Sequence, residues 1–165
     1  MDARKIHGLT MCTVSPALVK GTTSTYTTTV TSAGMINGKF VTALTAQTNT
    51  ATPTTDAATG AAFVALADNQ ATVIVMGQNA AGAIKACQGS IVPTATGVTT
   101  TAGAFLNAPQ FPSLPDDFIT FGYALVRTAP SASAWTFGTD SWTATGITAT
   151  QFVQCGVLPS RPQTA

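Results

Sequence analysis

The chain has 165 residues, of which 45% are apolar and only 8% charged, with a net charge of +1; an ordinary soluble domain carries about 25% charged residues. That length suits one domain with a core of its own. The composition excludes several classes: no basic cluster extends beyond Arg4–Lys5 to hold nucleic acid, and no apolar run approaches membrane-spanning length.

All six acids are Asp, Glu is absent, and Thr followed by Ala dominates. Helices expose faces of Glu, Lys, Gln and Arg, whereas Thr suits the solvent side of a pleated strand. The expected class is all-β, as an antiparallel β-sandwich or a jelly-roll-like barrel. So little charge protects weakly against association, so the surface is expected to be covered by sister subunits or a scaffold; a Thr-coated monomer is the alternative. Cys12, Cys87 and Cys155 are an odd number at unrelated spacings, which argues against a disulfide framework and for a reducing compartment. Residues 6–20 are interrupted by His7, Thr10, Thr13, Ser15 and Pro16, a poor signal-peptide core.

Residues 1–21 have mixed polarity and no clean period, and read as an N-terminal arm, either a loose tail or a segment reaching a neighbour with Ile6 and Leu9 as anchors. The β domain then spans 22–165. Thr22–Thr31 is a β-branched strand with Tyr26 and Val30 on one face. Asn37–Gly38 predicts a type I′ hairpin turn, with Phe40, Thr42 and Leu44 on one side of the returning strand. Residues 47–59 are polar, contain Pro53 and read as a loop, and 60–66 as a short helix or an irregular segment. The centre of the sheet is predicted at 71–92: Thr72–Met76 is an apolar run buried on both faces, Asn79–Gly82 supplies turn chemistry, and Ala83–Gln88 returns antiparallel.

Residues 93–115 form a long connection whose Phe105, Leu106, Phe111 and Leu114 either cap the core or make a subunit contact. Phe118–Arg127 is a central strand, with Phe118, Thr120, Gly122, Ala124 and Val126 opposite Ile119, Phe121, Tyr123 and Leu125. Trp135–Phe137 and Trp142–Thr145 are read as short strand pieces, and Ile147–Val153 as a last strand. The prolines of Leu158–Pro162 cannot continue a ladder, leaving 158–165 as a tail.

No catalytic constellation emerges. His7 is the only histidine, and with Cys12 it lacks the count and spacing of a zinc site. Asp116–Asp117 is the only acidic pair and reads as a solvated turn. No phosphate-binding glycine motif is present. The expectation is a protein that is not an enzyme and uses no cofactor or metal.

The order of several phrases resembles small virion structural proteins of tailed bacteriophages, of the capsid decoration (cement) or head-fibre type. These phrases are Ile36-Asn-Gly-Lys-Phe40 within the 26–46 hairpin, Phe63-Val-Ala-Leu66 leading to Asn69–Val75, and Ala81–Lys85 with Gln88–Ile91. Phe121–Val126, Trp135–Thr139 and Leu158–Pro162 complete the order, which covers most of the chain after the arm. The resemblance implies a homotrimeric β-sandwich made in the host cytoplasm and carried on the capsid exterior, where it binds and stabilises the major capsid protein, with no nucleic acid or membrane as partner. Under it, Arg4, Lys5, Ile6 and Leu9 are the expected capsid contacts. The alternative is a tail or tail-fibre component contacting the host surface, where Trp135 and Trp142, if exposed, would stack on sugar rings, although burial is expected for at least one of them. A cytosolic monomeric binding module is a third class.

Overall fold

The computed structural model describes residues 9–164, which contain twelve β-strands and no helix. The longest strands are β7 (Gln70–Asn79) and β10 (Phe118–Thr128). They pair antiparallel from Phe118 opposite Asn79 to Arg127 opposite Ala71, and lie inside a six-stranded sheet. β8 (Ile84–Gln88) flanks β7 as the predicted hairpin partner, with Gly82 at φ 81° in the turn. β9 (Val92–Pro93) pairs with the start of β7. β11 (Ile147–Ala149) and β12 (Val153–Gln154) both pair with β10. The expected last strand is thus two short ones, interrupted where the Thr150 amide bonds the Leu125 carbonyl and Phe152 turns into the core.

Two three-stranded sheets complete the fold. One is β1 (Met11–Val14), β4 (Ala33–Ile36) and β5 (Lys39–Phe40), with β4 in the middle. The other is β2 (Leu18–Lys20), β3 (Thr25–Thr28) and β6 (Gln47–Ala51), with β3 in the middle. All ladders between these strands are antiparallel, and the several sheets are consistent with a β-sandwich. Within the expected arm, β1 and β2 are sheet strands, and their Cys12 and Leu18 enter the core.

Both faces of the large sheet are buried, which is why β7 and β10 read as continuous apolar runs. On one face Ile74, Met76, Ile119, Phe121, Ala124 and Val126 meet Cys12, Leu18 and Tyr26 from the small sheets, together with Trp135, Phe137, Trp142 and Phe152. On the other face Val73, Val75, Cys87, Phe118, Tyr123 and Leu125 lie under Phe105, Phe111, Leu114 and Leu158. The 93–115 connection therefore caps the core, although its Leu106 remains exposed.

Several sequence expectations are corrected. The simple alternation expected along β10 fails because the register shifts between Thr120 and Gly122, leaving Phe121 as an extra, bulged residue. Ile119 and Phe121 consequently share a face with Ala124 and Val126. Residues 47–51, expected as loop, form edge strand β6, and Pro53 falls just beyond it. Strand β3 ends at Thr28, so Val30 is exposed while Tyr26 is buried. β5 ends at Phe40, which points outward while Leu44 points inward, because the strand does not persist between them. Residues 60–66 contain no helix and are held by isolated bridges, Thr55 to Ala62 and Leu66 to Trp135. Trp135 makes only that isolated bridge before a turn at Phe137, and Trp142 lies in a turn, so neither segment forms a strand.

Glutamine side chains lace separate segments together. Buried Gln78 accepts a hydrogen bond from Ser32 Oγ at 2.6 Å and donates to the Thr42 carbonyl at 2.8 Å. Gln88 bonds both backbone groups of Val64, and Gln154 bonds both backbone groups of Leu18. Each amide presents one acceptor and one donor, as a neighbouring strand would.

Candidate functional site

Asp56 is buried, and its carboxylate accepts the Ala58 amide at 2.7 Å and the Gln88 amide at 3.0 Å. Asp117 and Lys85 share with it the lining of a cavity of about 300 Å³. Asp116 and Asp117 are exposed in the turn before β10, as expected of that pair. Cys12, Cys87 and Cys155 are free thiols, and burial raises the pKa of each, that of Cys87 to about 12. Such thiols hold little nucleophilic thiolate at neutral pH. Among the described residues no group of three or more His, Cys, Asp or Glu side chains is placed to hold a metal ion, and no helix is long and apolar enough to cross a membrane. His7 lies outside the described residues.

The two tryptophans are not available to a sugar. Trp135 is 1% and Trp142 3% exposed. Their rings lie 5.7 Å apart, and their indole nitrogens donate to the carbonyls of Ser141 and Thr25, each at 3.0 Å. Phe137 and Phe152 pack edge-on to Trp142. The burial expected of at least one tryptophan holds for both, and the sugar-stacking role offered under the tail-fibre alternative has no exposed ring: buried indoles with satisfied N–H groups are core.

The most exposed large apolar side chain, Phe40, lies on the outer side of the β1–β4–β5 sheet. The Asn37–Gly38 turn has φ of 50° and 76°, the doubly positive pair of a type I′ turn, and sets Met35 opposite Phe40. Met11 lies opposite Met35 on the next strand, and Val14 opposite Ala33. Side chains paired across strands share a face, so Met11, Met35 and Phe40 form one transverse row. Leu9, two residues before Met11, falls on the same side by strand alternation, and its carbonyl accepts the Gly38 amide at 3.1 Å. Cys12 and Gly34 occupy the inner side, where a Cβ on Gly34 would come within 2.5 Å of Ile119 Cδ1. The sheet thus presses flat against β10 and turns the row outward.

Exposure is 57% at Leu9, 42% at Val14 and 81% at Phe40, while Met11 and Met35 are half-buried. A benzyl side chain at 81% exposure leaves unburied most of the roughly 1.5–3 kcal/mol that its burial yields. The other exposed large apolar residues are Val19 on β2 and Val30, Val64, Val98, Leu106 and Val157, which are dispersed over loops. Of the four residues expected as contacts, Leu9 belongs to this face, whereas Arg4, Lys5 and Ile6 lie outside the described residues. Sequence reasoning missed Met11, Met35 and Phe40. The signal lay in the Asn-Gly turn, which fixes Met35 and Phe40 as a cross-strand pair once the hairpin is accepted. Comparison with protein-family models, with curated proteins and with solved structures finds no match for this chain.

Proposed function

We propose that this protein is a structural component of a phage virion that decorates the outside of the capsid and stabilises it, associating as a trimer and binding the major capsid protein. The observation that carries the reading is the outward apolar row of Leu9, Met11, Val14, Met35 and Phe40, in which Leu9, Val14 and Phe40 are exposed. The low charge of the surface and the sequence resemblance to decoration proteins agree with it. A side chain such as Phe40 gains its burial only against another molecule. An oligomer presenting several such faces engages several shell subunits at once, and effective concentration multiplies modest contacts. Because it binds the assembled shell and not the free subunits, it shifts the balance toward assembly by mass action. The tail-fibre alternative keeps no observation of its own once both indoles are core.

The test is quantitative mass spectrometry of purified particles, scoring this chain against the major capsid protein. Hundreds of copies in fixed ratio to the capsid subunit are expected. A handful, or a few dozen, places the chain at the tail or at one vertex and removes the decoration reading.

A further inference from the structure

The chain has five asparagines, and only Asn37 is followed by glycine; Asn49, Asn69, Asn79 and Asn107 precede Thr50, Gln70, Ala80 and Ala108. Asn37 and Gly38 are both exposed at the tip of the β4–β5 hairpin, and a Cβ at Gly38 would meet nothing within 4 Å. The side-chain carbonyls of Asn69 and Asn79, by contrast, are held in place by accepting the Gly97 and Ala83 amides, each at 3.0 Å. The Asn37–Gly38 turn is itself pinned to the residues that lead into β1. The Gly38 amide donates to the Leu9 carbonyl and the Asn37 amide to Thr10 Oγ1, each at 3.1 Å.

We infer that Asn37 is a site of spontaneous deamidation, gated by these two bonds to Leu9 and Thr10. The Gly38 amide gives its proton to hydroxide, and its nitrogen bonds to Asn37 Cγ. The Cγ–Nδ2 bond breaks, and ammonia leaves with a hydrogen taken from water, closing a succinimide ring. Water then opens the ring on either side. Breaking the bond from Cγ to the Gly38 nitrogen gives aspartate; breaking the bond from the Asn37 backbone carbonyl carbon gives isoaspartate, whose chain runs through Cβ and Cγ. No oxidant or reductant takes part. Glycine permits the closure because no Cβ stands beside its nitrogen, and that nitrogen is released only when the turn opens locally from Leu9. The two products differ in effect. Asp-Gly suits a type I′ turn as Asn-Gly does, so aspartate keeps the hairpin and adds a negative charge at its tip. Isoaspartate adds a backbone atom to a loop whose length sets the strand register. It therefore shifts Phe40 off Met35 and breaks the apolar row at its most exposed member. The chemistry is independent of the decoration reading.

The experiment ages the folded full chain at neutral and mildly alkaline pH and follows each asparagine by peptide mass spectrometry, with isoaspartate scored by a protein-isoaspartate methyltransferase. Asn107, exposed in a loop and followed by Ala108, is the internal reference. Acid should accumulate at Asn37 first, its rate rising about tenfold per pH unit as the deprotonated fraction of the amide does. Asn37→Gly should abolish the product at that position and leave Asn107 unchanged. Thr10→Val, checked for native circular dichroism, removes one of the two pinning bonds and should speed the reaction about threefold. Thr10→Ser keeps the hydroxyl and should age like the parent. Unfolding in urea removes both bonds and should speed the reaction about tenfold. No acid at Asn37 ahead of Asn107 overturns the site. Equal rates in the folded and urea-unfolded chains, or a natively folded Thr10→Val chain that ages like the parent, overturn the gate.

Discussion

Gly77 shows how closely the two central strands approach. A Cβ there would lie 2.0 Å from the Ile119 carbonyl oxygen and 2.8 Å from the Phe118 ring. Neither the backbone of β10 nor a ring packed in the core can yield easily. Gly77→Ala is expected to cost about 3 kcal/mol, in the range of overpacked cores, and to lower the urea midpoint without changing its slope. Cys87 makes a different prediction. Its thiol, ordinarily near 9.0, is pushed up to about 12, first by burial and then by the nearby Asp56 carboxylate. The folded state therefore holds this proton more tightly than the unfolded chain does. The associated stability is complete below pH 9 and is lost as pH rises from 9 towards 12. Cys12 and Cys155, also raised by burial, act in the same direction. Urea midpoints measured from pH 8 to 11 should decline at the upper end, and Cys87→Ala should make that decline shallower; an unchanged profile in the variant counts against the assignment.

At the scale of elements, legibility followed the source of each residue's conformation. The β7–β8 hairpin and the body of β10 were readable because apolar, β-branched runs between turn residues are caused by burial on both faces. The Asn37–Gly38 turn was readable because its doubly positive φ demands those residue types. Gly38→Val tests that cause directly, since a Cβ at Gly38 meets nothing within 4 Å. Its cost, about 1–2 kcal/mol, should come from the positive φ alone, and Asn37→Gly should be close to neutral. β6 was illegible because Gln47-Thr-Asn-Thr-Ala51 has no apolar alternation; it is a strand only because β3 offers it a ladder. The bulge at Phe121 was equally hidden. Its one local sign is Gly122, where a Cβ would meet the Val153 carbonyl oxygen at 2.6 Å, and that contact comes from a distant segment. The candidate face was legible only at Leu9. Phe40 shared an expected strand side with Leu44, and only the early end of β5 turns it outward while Leu44 points in.

For the whole molecule, the central sheet is shielded on both sides, by small sheets and aromatic turns on one and by loops on the other. Opening free energies should follow that arrangement. Amides of β7 and β10 are expected to exchange only through global unfolding, while those of β5 and edge strand β6 exchange through local opening. Hydrogen–deuterium exchange would reverse this picture if β6 proved as protected as β7. The same central pairing sets how the chain comes to be folded. β7 reaches its principal partner only when Phe118–Thr128 arrives, and the ladder joins residues as far apart as Ala71 and Arg127. Such non-local closure is slow, on the order of milliseconds to seconds. Until it happens, Thr72–Met76, uncharged and without proline, keeps the edge opposite β8 unpaired, a β segment of the kind that pairs with other chains. Recovery of native protein from denaturant should therefore fall as chain concentration rises, and the yield of this fold is decided by a race between β10 and a neighbour for the edge of β7.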